Sequence, residues 1–450
     1  MTIHMNLNVV DRLIGNNVEV TNTTGIAKIA LAKLIPLILD KGTNNVQIYS
    51  DNSGKLVITI AGIDSVYLNN TDFRFVNNPR FLQNLAGLKT NAGTEYLVIL
   101  EPSISSADFK NKIQSASNKI VLLAPGAYTV SVDCQNAPID IPSGCTIIAY
   151  GSTINLRSTH PSGSWYWPFF RTPTSGSCAV LGGLWYLDYS NSTNVTSAIF
   201  NPRGDCSFLD CTIDGWYGIR ATAGRVKLTN LVFQPQNTLY SRAVMIAQTD
   251  GATYQINNCL FEGFAVGTTT RAWDAGAYLW VRNARTIFGN AVFRHLLVGA
   301  NVIIEDGWGA NQRYVHLYNI DCVEMANGNQ GGNSPIQLSG NTSSVYYIED
   351  VTIENVFVQG GGVYCGQIGT VWEGAGWNGA VAMKNLNIRN VTLVASSPYG
   401  TARHGLYFPN AGLTEISEIS NVTIKGTYGV SPIKIHSSIP IGKFDVKILL

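Results

Sequence analysis

From residue 210 onward the chain repeats one short pattern: Asn or Asp, then an apolar residue, any residue, an apolar residue and any residue. The copies are DCTID (210–214), NLVFQ (230–234), NCLFE (258–262), NAVFR (290–294), NIDCV (319–323), DVTIE (350–354), NVTLV (390–394) and NVTIK (421–425). They begin 20 to 40 residues apart, with a mean of about 30. Repeats of this length are typical of solenoids, in which each coil covers the next.

Within each copy the apolar residues alternate, which is the two-residue period of a strand with one buried face. The first inward column reads Cys211, Leu231, Cys259, Ala291, Ile320, Val351, Val391 and Val422, and the second reads Ile213, Phe233, Phe261, Phe293, Cys322, Ile353, Leu393 and Ile424. Because every member is apolar, the columns are predicted to stack inside a tube. The Asn at the start of each copy tolerates a left-handed backbone, so it suits a tight bend. Constant strands with variable spacing favour a parallel β-solenoid.

Upstream of the repeat, two more coils are predicted around AYGSTINL (149–156) and LGGLWYLD (181–188). Ahead of them, SSADFKNKIQSAS (105–117) predicts a short helix. Ser106 is expected to cap this helix, because a serine oxygen accepts a hydrogen bond from the first turn. Its apolar face is formed by Phe109, Ile113 and Ala116.

The helix is followed by KIVLLAPGAYTV (119–130) and IDIPSGCTIIAYGSTINL (139–156). This order of helix, strand, Pro-Gly-x-Tyr turn and Gly-rich bend resembles the opening of right-handed parallel β-helix proteins of the pectin-lyase-like superfamily, particularly viral and phage tailspikes. The matching residues are Pro125, Gly126, Tyr128, Pro142, Gly144 and Gly151. The resemblance covers residues 105–450 and implies an all-β fold, a right-handed parallel β-helix of about ten coils. The Asp-Gly-rich segment that often precedes the helix in tailspikes is absent.

Residues 1–100 do not follow the repeat and predict a small α+β head, which leaves 101–450 for the β-helix. The head combines an apolar helix candidate with short alternating runs around a hairpin turn: IAKIALAKLIPLIL (26–39), VQIYS (46–50), DNSG (51–54), KLVITIAG (55–62) and SVYLNN (65–70). The resemblance to tailspikes implies that such a head attaches to other virion proteins.

Charge and cysteine content exclude several classes of protein. Charged residues are only 13% of the 450, and the net charge of +1 argues against nucleic acid as a partner. The sequence also predicts no signal peptide and no membrane insertion. None of the eight cysteines has zinc-site spacing, so we expect buried free thiols, no metal and no cofactor.

Aromatic residues crowd the segments between the predicted strands, as in GSWYWPFF (163–170) and around Trp185. Flat aromatic faces suit stacking on sugar rings, although the same residues also pack under loops or at subunit interfaces. The residues predicted to bind substrate are Trp273, Trp280, Trp308, Trp372, Glu373 and Trp377.

Acidic residues recur beside Trp and Gly in these segments, and they are the candidate catalytic groups. Asp274 lies 16 residues beyond Asn258, and Asp306 lies 16 residues beyond Asn290, with Glu305 beside it. Equal offsets would place the two aspartates on adjacent coils, roughly 5 Å apart. Carboxyl pairs about 5–5.5 Å apart suit a retaining glycosidase, and pairs about 6.5–9.5 Å apart suit an inverting one. The alternative is that these acids are solvated loop residues.

Three functions remain open from the sequence. The first is a viral tailspike or receptor-binding protein of the virion, a homotrimer that recognises a host surface polysaccharide and could hydrolyse it. The second is a structural spike or baseplate-associated protein without catalysis. The third is a secreted polysaccharide lyase or hydrolase, although the catalytic motifs of those enzymes are missing and Arg403-His404-Gly405 is only an isolated fragment. An outward column containing Thr212, Val232, Leu260 and Val292 would suit packing of shafts against one another.

Overall fold

In the computed structural model, the repeats form parallel strands that stack coil upon coil in three rows. The structure describes residues 20–22, 27–29, 37–38, 46–50, 56–60, 63–68, 73–75, 97–159, 167–188, 198–215, 217–222, 224–234, 242–247, 253–263, 275–280, 285–296, 298–304, 312–325, 334–340, 347–367, 382–408 and 415–450. The chain divides into two units, Met1–Ile99 and Leu100–Leu450. Among the described residues, no helix is long and apolar enough to cross a membrane.

The first and second rows belong to one large parallel sheet, and the third row is a sheet of its own with 11 strands. The first row contains Ile120–Leu123, Thr146–Ile148, Ser177–Leu181, Asp205–Leu209, Arg225–Thr229 and Thr253–Asn257; the second contains Gly126–Val132, Ser152–Ser158, Leu184–Leu187, Thr212–Asp214, Val232–Phe233 and Leu260–Glu262. Both rows then continue in long strands that bend between them: Arg285–Arg294, Gln312–Val323, Tyr347–Gln359, Ala382–Val394, Ile416–Lys425 and Ile441–Leu449.

The third row closes each coil. Its strands are Ile139–Asp140, Pro168–Arg171, Ala198–Asn201, Tyr217–Ala221, Arg242–Ala247, Ala275–Trp280, Val298–Ile304, Ile336–Gly340, Val363–Gln367, His404–Phe408 and Ser431–Ile435. Every strand in this row pairs in parallel with the strand one coil away. Because crossovers between parallel strands are right-handed, the coils wind as a right-handed parallel β-helix. The predicted fold class is confirmed, and eleven coils at roughly 4.8 Å each give a shaft about 50 Å long.

The inward columns are the core of the shaft. All of the residues predicted to lie in them are buried. Phe233, Phe261 and Phe293 stack on successive coils, with ring centroids 4.8 Å and 4.6 Å apart. Trp185, Phe169 and Phe170 are also buried, so these aromatic residues belong to the core and are not available to a ligand.

A ladder of side-chain amides runs along the bend between the first and second rows. Its members have φ between 50° and 57°, in the left-handed region: Asp210, Asn230, Asn258, Asn290, Asn319, Asn355, Asn390 and Asn421. Most donate from Nδ2 to the side-chain oxygen of the preceding member, over 2.7 to 3.2 Å. Between Asn258 and Asn290 the acceptor is instead Oδ1 of the neighbouring Asn257, at 2.7 Å.

The structure corrects the repeat at one copy. Asn355, and not Asp350, occupies the ladder, because Val356 pairs with Ile320 on one side and with Val391 on the other. Asp350 begins an earlier bend in the same strand, where it accepts a hydrogen bond from Asn385 Nδ2 at 2.7 Å. Both bends have a left-handed residue followed by alternating apolar residues, so the sequence pattern is the same at each.

The opening of the β-helix has the predicted elements with a different helix cap. The helix spans Ser106–Gln114, and its cap is Ser105, whose Oγ accepts a hydrogen bond from the Asp108 N–H at 3.1 Å. Ser106 was predicted to be the cap, but its Oγ accepts from the Ser131 N–H at 2.9 Å and so joins the helix to the second row. Phe109 and Ile113 are buried as predicted.

In the head, five of the described strands form an antiparallel sheet, made of Leu37–Ile38, Val46–Ser50, Leu56–Ile60, Ile63–Leu68 and Phe73–Phe75. Val20–Asn22 and Ala27–Ile29 pair as a separate antiparallel sheet. Ser50 pairs with Leu56, which confirms a hairpin at the predicted position. The apolar segment 26–39 was predicted to be helical, but it contains the strands Ala27–Ile29 and Leu37–Ile38. A single helix over that segment is therefore wrong.

The cysteines described with their side chains are buried and form no disulfide, as predicted: Cys134, Cys145, Cys178, Cys206, Cys211, Cys259 and Cys322. Burial raises the pKa of Cys145, Cys178 and Cys211 to about 12. Because the pKa of these thiols in the folded protein lies above the ordinary value, their contribution to the stability of the fold is complete below pH 9. That contribution is lost as the pH rises towards 12.

We expect these seven thiols to be unreactive towards a thiol-specific reagent in the native protein at pH 8, because they are buried and therefore inaccessible to it. Titration of the native and the guanidinium-unfolded protein with such a reagent would measure this directly. Rapid reaction of more than one thiol in the native protein would contradict it, since only Cys365 is outside the set.

Replacing Asn390 with Ala should destabilise the β-helix by about 2 kcal/mol. The ladder would lose two exposed hydrogen bonds, each contributing roughly 0.5–1.5 kcal/mol, while a left-handed residue other than Asn or Gly remains strained. Asn390→Gly keeps the favourable backbone and should lose about half as much. Urea unfolding of both variants beside Thr392→Ala would test the order, and equal midpoints for the two Asn390 variants would be the contrary result.

Candidate functional site

The predicted site residues lie almost entirely outside the described part of the chain. This is so for Asp274, Glu305, Asp306, Trp273, Trp308, Trp372, Glu373 and Trp377. The backbone of Trp280 ends the strand Ala275–Trp280 in register with Ala247, and its side chain is outside the described set. Their roles stay predictions.

His404 has a structural position. It is buried, its ring stacks on Tyr407 at 4.4 Å between centroids, and its Nδ1 lies 3.2 Å from the Ser431 carbonyl oxygen. The Tyr364 hydroxyl donates to the His404 carbonyl oxygen at 2.9 Å. These contacts support the interpretation of the Arg403-His404-Gly405 fragment as part of the packing.

An accessible strip of rings crosses the outer face of the first row. Tyr314, His316 and Tyr318 alternate along Gln312–Val323, and the residues between them, Val315 and Leu317, are buried. The period of two in a strand therefore directs His316 and Tyr318 outward. Tyr314 lies at a left-handed bend, with φ of 58°, and its ring is exposed at the start of the same run. Tyr314 is 55% exposed, and the rings of His316 and Tyr318 lie 4.9 Å apart.

Two contacts fix this strip against the sheet. A Cβ added at Gly289 would lie 2.2 Å from the Tyr318 ring, so the ring covers the flat backbone where the glycine has no side chain. His316 Nε2 lies 2.7 Å from Glu354 Oε1 on the next coil. Among the described residues this carboxylate is the polar partner of the imidazole, and it orients one ring nitrogen towards the next coil.

Polar groups continue the same face over the following coils. Glu418 accepts hydrogen bonds from Ser420 Oγ at 2.7 Å, from Arg389 Nε at 2.5 Å and from Lys443 Nζ at 3.2 Å. These bonds, that from Ser420 first, lower the pKa of Glu418 to about 2. Glu418 is thus ionised at neutral pH and cannot act as a general acid there.

Exposed rings beside paired carboxylate, guanidinium and ammonium groups can bind a ligand that has both apolar and hydroxyl-bearing faces. Sugar rings are such ligands, because their C–H faces stack on aromatic rings while their hydroxyl groups accept and donate hydrogen bonds. We call the surface formed by Tyr314, His316, Tyr318, Glu354 and Arg389 the ring face. The alternation of apolar and aromatic residues along Gln312–Val323 is the sequence signal for this face, whereas the tryptophans predicted to bind substrate were chosen for their place in segments between predicted strands.

A second polar cluster lies at the bend that ends the second row. His295 bridges two carboxylates on the coils before and after it, with Nδ1 2.5 Å from Glu262 Oε1 and Nε2 2.9 Å from Glu324 Oε2. Arg294 Nε donates to Glu262 Oε2 at 2.9 Å. The ring of Tyr399, from the small hairpin formed by Ser396–Ser397 and Gly400–Thr401, packs edge-on against His295 at 5.8 Å.

The backbone at this bend is strained where the cluster lies. His295 and Glu324 have φ of 56° and 50°, whereas later coils have Gly360 and Gly426 at the corresponding bend, with φ of 87° and 80°. Glycine adopts this conformation without steric cost, whereas His295 and Glu324 hold it at a cost in backbone strain. Partial burial and the charges of Glu324 and Glu262 raise the pKa of Tyr399, which keeps its hydroxyl protonated.

Replacing His295 with Ala should destabilise the β-helix more than replacing it with Gly. Both changes remove the hydrogen bonds to Glu262 and Glu324, but glycine also relieves the left-handed strain, by roughly 1–2 kcal/mol. Denaturant unfolding of the two variants would measure the difference. If His295→Ala were as stable as His295→Gly, the strain at this bend would be too small to matter.

Comparison with known proteins gives matches in structure alone. No family model matches the sequence, and no curated protein matches it. The structure is similar to the Family 28 exopolygalacturonase of Yersinia enterocolitica, at 12% identity over 90% of this chain and 83% of that chain, with a TM-score of 0.44. It is also similar to the Dettilon tailspike protein, at 12% identity over 78% and 68% of the two chains, with a TM-score of 0.36. A third similar structure is the endo-xylogalacturonan hydrolase of Aspergillus tubingensis, at 13% identity over 78% and 93%, with a TM-score of 0.36. At these identities the likeness is one of fold.

Proposed function

We propose that this protein recognises a host surface polysaccharide through the ring face, as a tailspike-type receptor-binding protein of a virion. The observation that carries the proposal is the row of Tyr314, His316 and Tyr318 on an open sheet surface. Exposing such a row of rings to water costs free energy of apolar hydration, and stacking of sugar rings on them would offset that cost. Hydroxyl groups of the polysaccharide would bond to Glu354 and Arg389 beside the rings.

The place in a virion rests on the resemblance of the opening segment, with Pro125, Gly126 and Tyr128, to tailspikes. In this proposal the head, residues 1–100, binds other virion proteins. The homotrimer is supported by part of the outward column of the second row, where Leu184, Thr212, Val232, Leu260 and Val292 pair coil to coil before the charged Asp321. An uncharged stripe over these five coils suits contact with a second copy.

Hydrolysis of the bound polysaccharide belongs to the same proposal as its second step. One acid among Asp274, Asp306 and Glu305 would protonate the leaving oxygen, and another would act as nucleophile or as base for water. Incubation with surface polysaccharides of candidate hosts, followed by mass spectrometry of released oligosaccharides, tests this step. Binding without release, from a polysaccharide shown to be bound, would leave recognition as the function.

Replacing Tyr314 with Ala should weaken polysaccharide binding at least tenfold, because a stacking surface is lost; tenfold corresponds to about 1.4 kcal/mol. Tyr318→Ala should act in the same direction. Tyr150→Ala is the matched control, since Tyr150 is also an exposed tyrosine, at 40%, on an earlier coil of the shaft. Calorimetry with an oligosaccharide that the unmodified protein binds would measure the affinity of each variant. An equal loss of affinity in Tyr150→Ala, or no loss in Tyr314→Ala, would refute the ring face as the binding site.

A further inference from the structure

Two arginines on successive coils of the third row converge on one carboxylate. Arg171 donates from Nε and Nη2 to the two oxygens of Asp140, at 2.8 and 2.7 Å. Arg203 donates from Nη2 to Asp140 Oδ1 at 3.1 Å. The cluster of Asp140, Arg171 and Arg203, here called the arginine pair, therefore carries one positive charge in excess.

The backbone holds the arginine pair on the outside of the shaft. Asp140 pairs with Arg171 in the parallel register of the third row, and the preceding residue Phe170 is buried, so these two side chains are directed outward. Arg203 is fixed by Thr172: its Nε donates to the Thr172 carbonyl oxygen, and its backbone N–H donates to Thr172 Oγ1, each at 2.9 Å. The side chains of Arg171 and Arg203 remain 34% and 30% exposed, which leaves them open to a ligand.

The other acidic residues nearby in sequence are paired with other arginines. Residues 160–187 and 189–204 hold no Asp or Glu, and the flanking Asp188 and Asp205 form ion pairs with Arg157 and Arg225. Partial burial and the nearby Arg171 guanidinium lower the pKa of Arg203, and Asp140 opposes this. Two like charges held together at a partly desolvated surface are relieved when an anion binds.

Each arginine also has an unused donor. The contacts above involve Nε and Nη2, and in the described part of the chain no partner is found for the Nη1 group of either residue. We infer that the arginine pair binds an oxyanion, a carboxylate or sulfate group carried by an anionic polysaccharide. Planar guanidinium groups bind such groups through paired N–H donors, which a lysine cannot reproduce.

The test uses dextran, carboxymethyl-dextran and dextran sulfate, which share a backbone and differ in charge. At low ionic strength the intact protein should bind the two charged polymers more tightly than dextran. Arg171→Gln and Arg203→Gln should each weaken binding of the charged polymers about tenfold, since each removes a charge-assisted contact. Arg225→Gln is the matched control, because Arg225 is an exposed arginine whose acidic partner among the described residues is Asp205.

The diagnostic variant is Asp140→Asn. Removing the internal carboxylate frees both guanidinium groups, so binding of the charged polymers should become severalfold tighter, whereas a purely structural cluster would give no gain. Arg203→Lys keeps the charge but lacks the paired N–H donors of a guanidinium group, so it should bind the charged polymers less tightly than the unmodified protein does. Excess inorganic sulfate should compete if the oxyanion alone is recognised, and its failure to compete would assign recognition to the glycan attached to the anion.

Equal binding of dextran and its charged derivatives would overturn the inference, as would equal losses in Arg203→Gln and Arg225→Gln. The result is independent of the ring face, because Tyr314→Ala leaves the arginine pair intact. Loss of neutral oligosaccharide binding in Tyr314→Ala with oxyanion binding retained would support both sites. Oxyanion binding without any host polysaccharide binding would leave the arginine pair standing and remove the proposed function.

Discussion

Every coil of the shaft depends on parallel pairing with the coils before and after it. A single coil cannot bury its own apolar face, and Phe233, Phe261 and Phe293 are covered only because successive strands hold them in register. A shift by one residue would turn an inward column outward and bring charges such as Asp321 inside. Register therefore fixes the core and, at the same time, arranges the outer residues that a ligand can reach.

The bends impose the second demand, a left-handed backbone at the same point of each coil. Asparagine meets it along the ladder, because its amide both tolerates that conformation and bonds to the neighbouring coil. At the end of the second row, Gly360 and Gly426 adopt the left-handed backbone without strain. At the same bend on earlier coils, His295 and Glu324 adopt it with strain, and His295 bonds to the carboxylates of Glu262 and Glu324. The shaft thus uses hydrogen bonds along its axis at both corners, with different chemistry at each.

Sequence periodicity predicted the core because apolar alternation reports burial directly. It failed at Asp350, since the strand Tyr347–Gln359 contains two left-handed residues five positions apart, each followed by the same apolar alternation. Only the pairing of Val356 with Val391 distinguishes them, and pairing is a property of the next coil. The groups proposed to bind a ligand were harder to predict: Tyr314 and His316 lie within a strand, whereas the aromatic residues singled out in the sequence lie between the predicted strands.

The two surfaces proposed to bind ligands differ in chemistry and in place, and together they favour a long polymer over a small sugar. The ring face offers stacking beside balanced charges, and the arginine pair offers positive charge. Arg171 lies on the second coil and Tyr314 on the eighth, so about six rungs, roughly 29 Å, separate them along the axis. A chain long enough to reach both would make its second contact intramolecularly, so two weak sites would give a larger combined affinity. Short oligosaccharides should then bind each surface separately and weakly, while affinity should rise sharply once the polymer spans the distance between them.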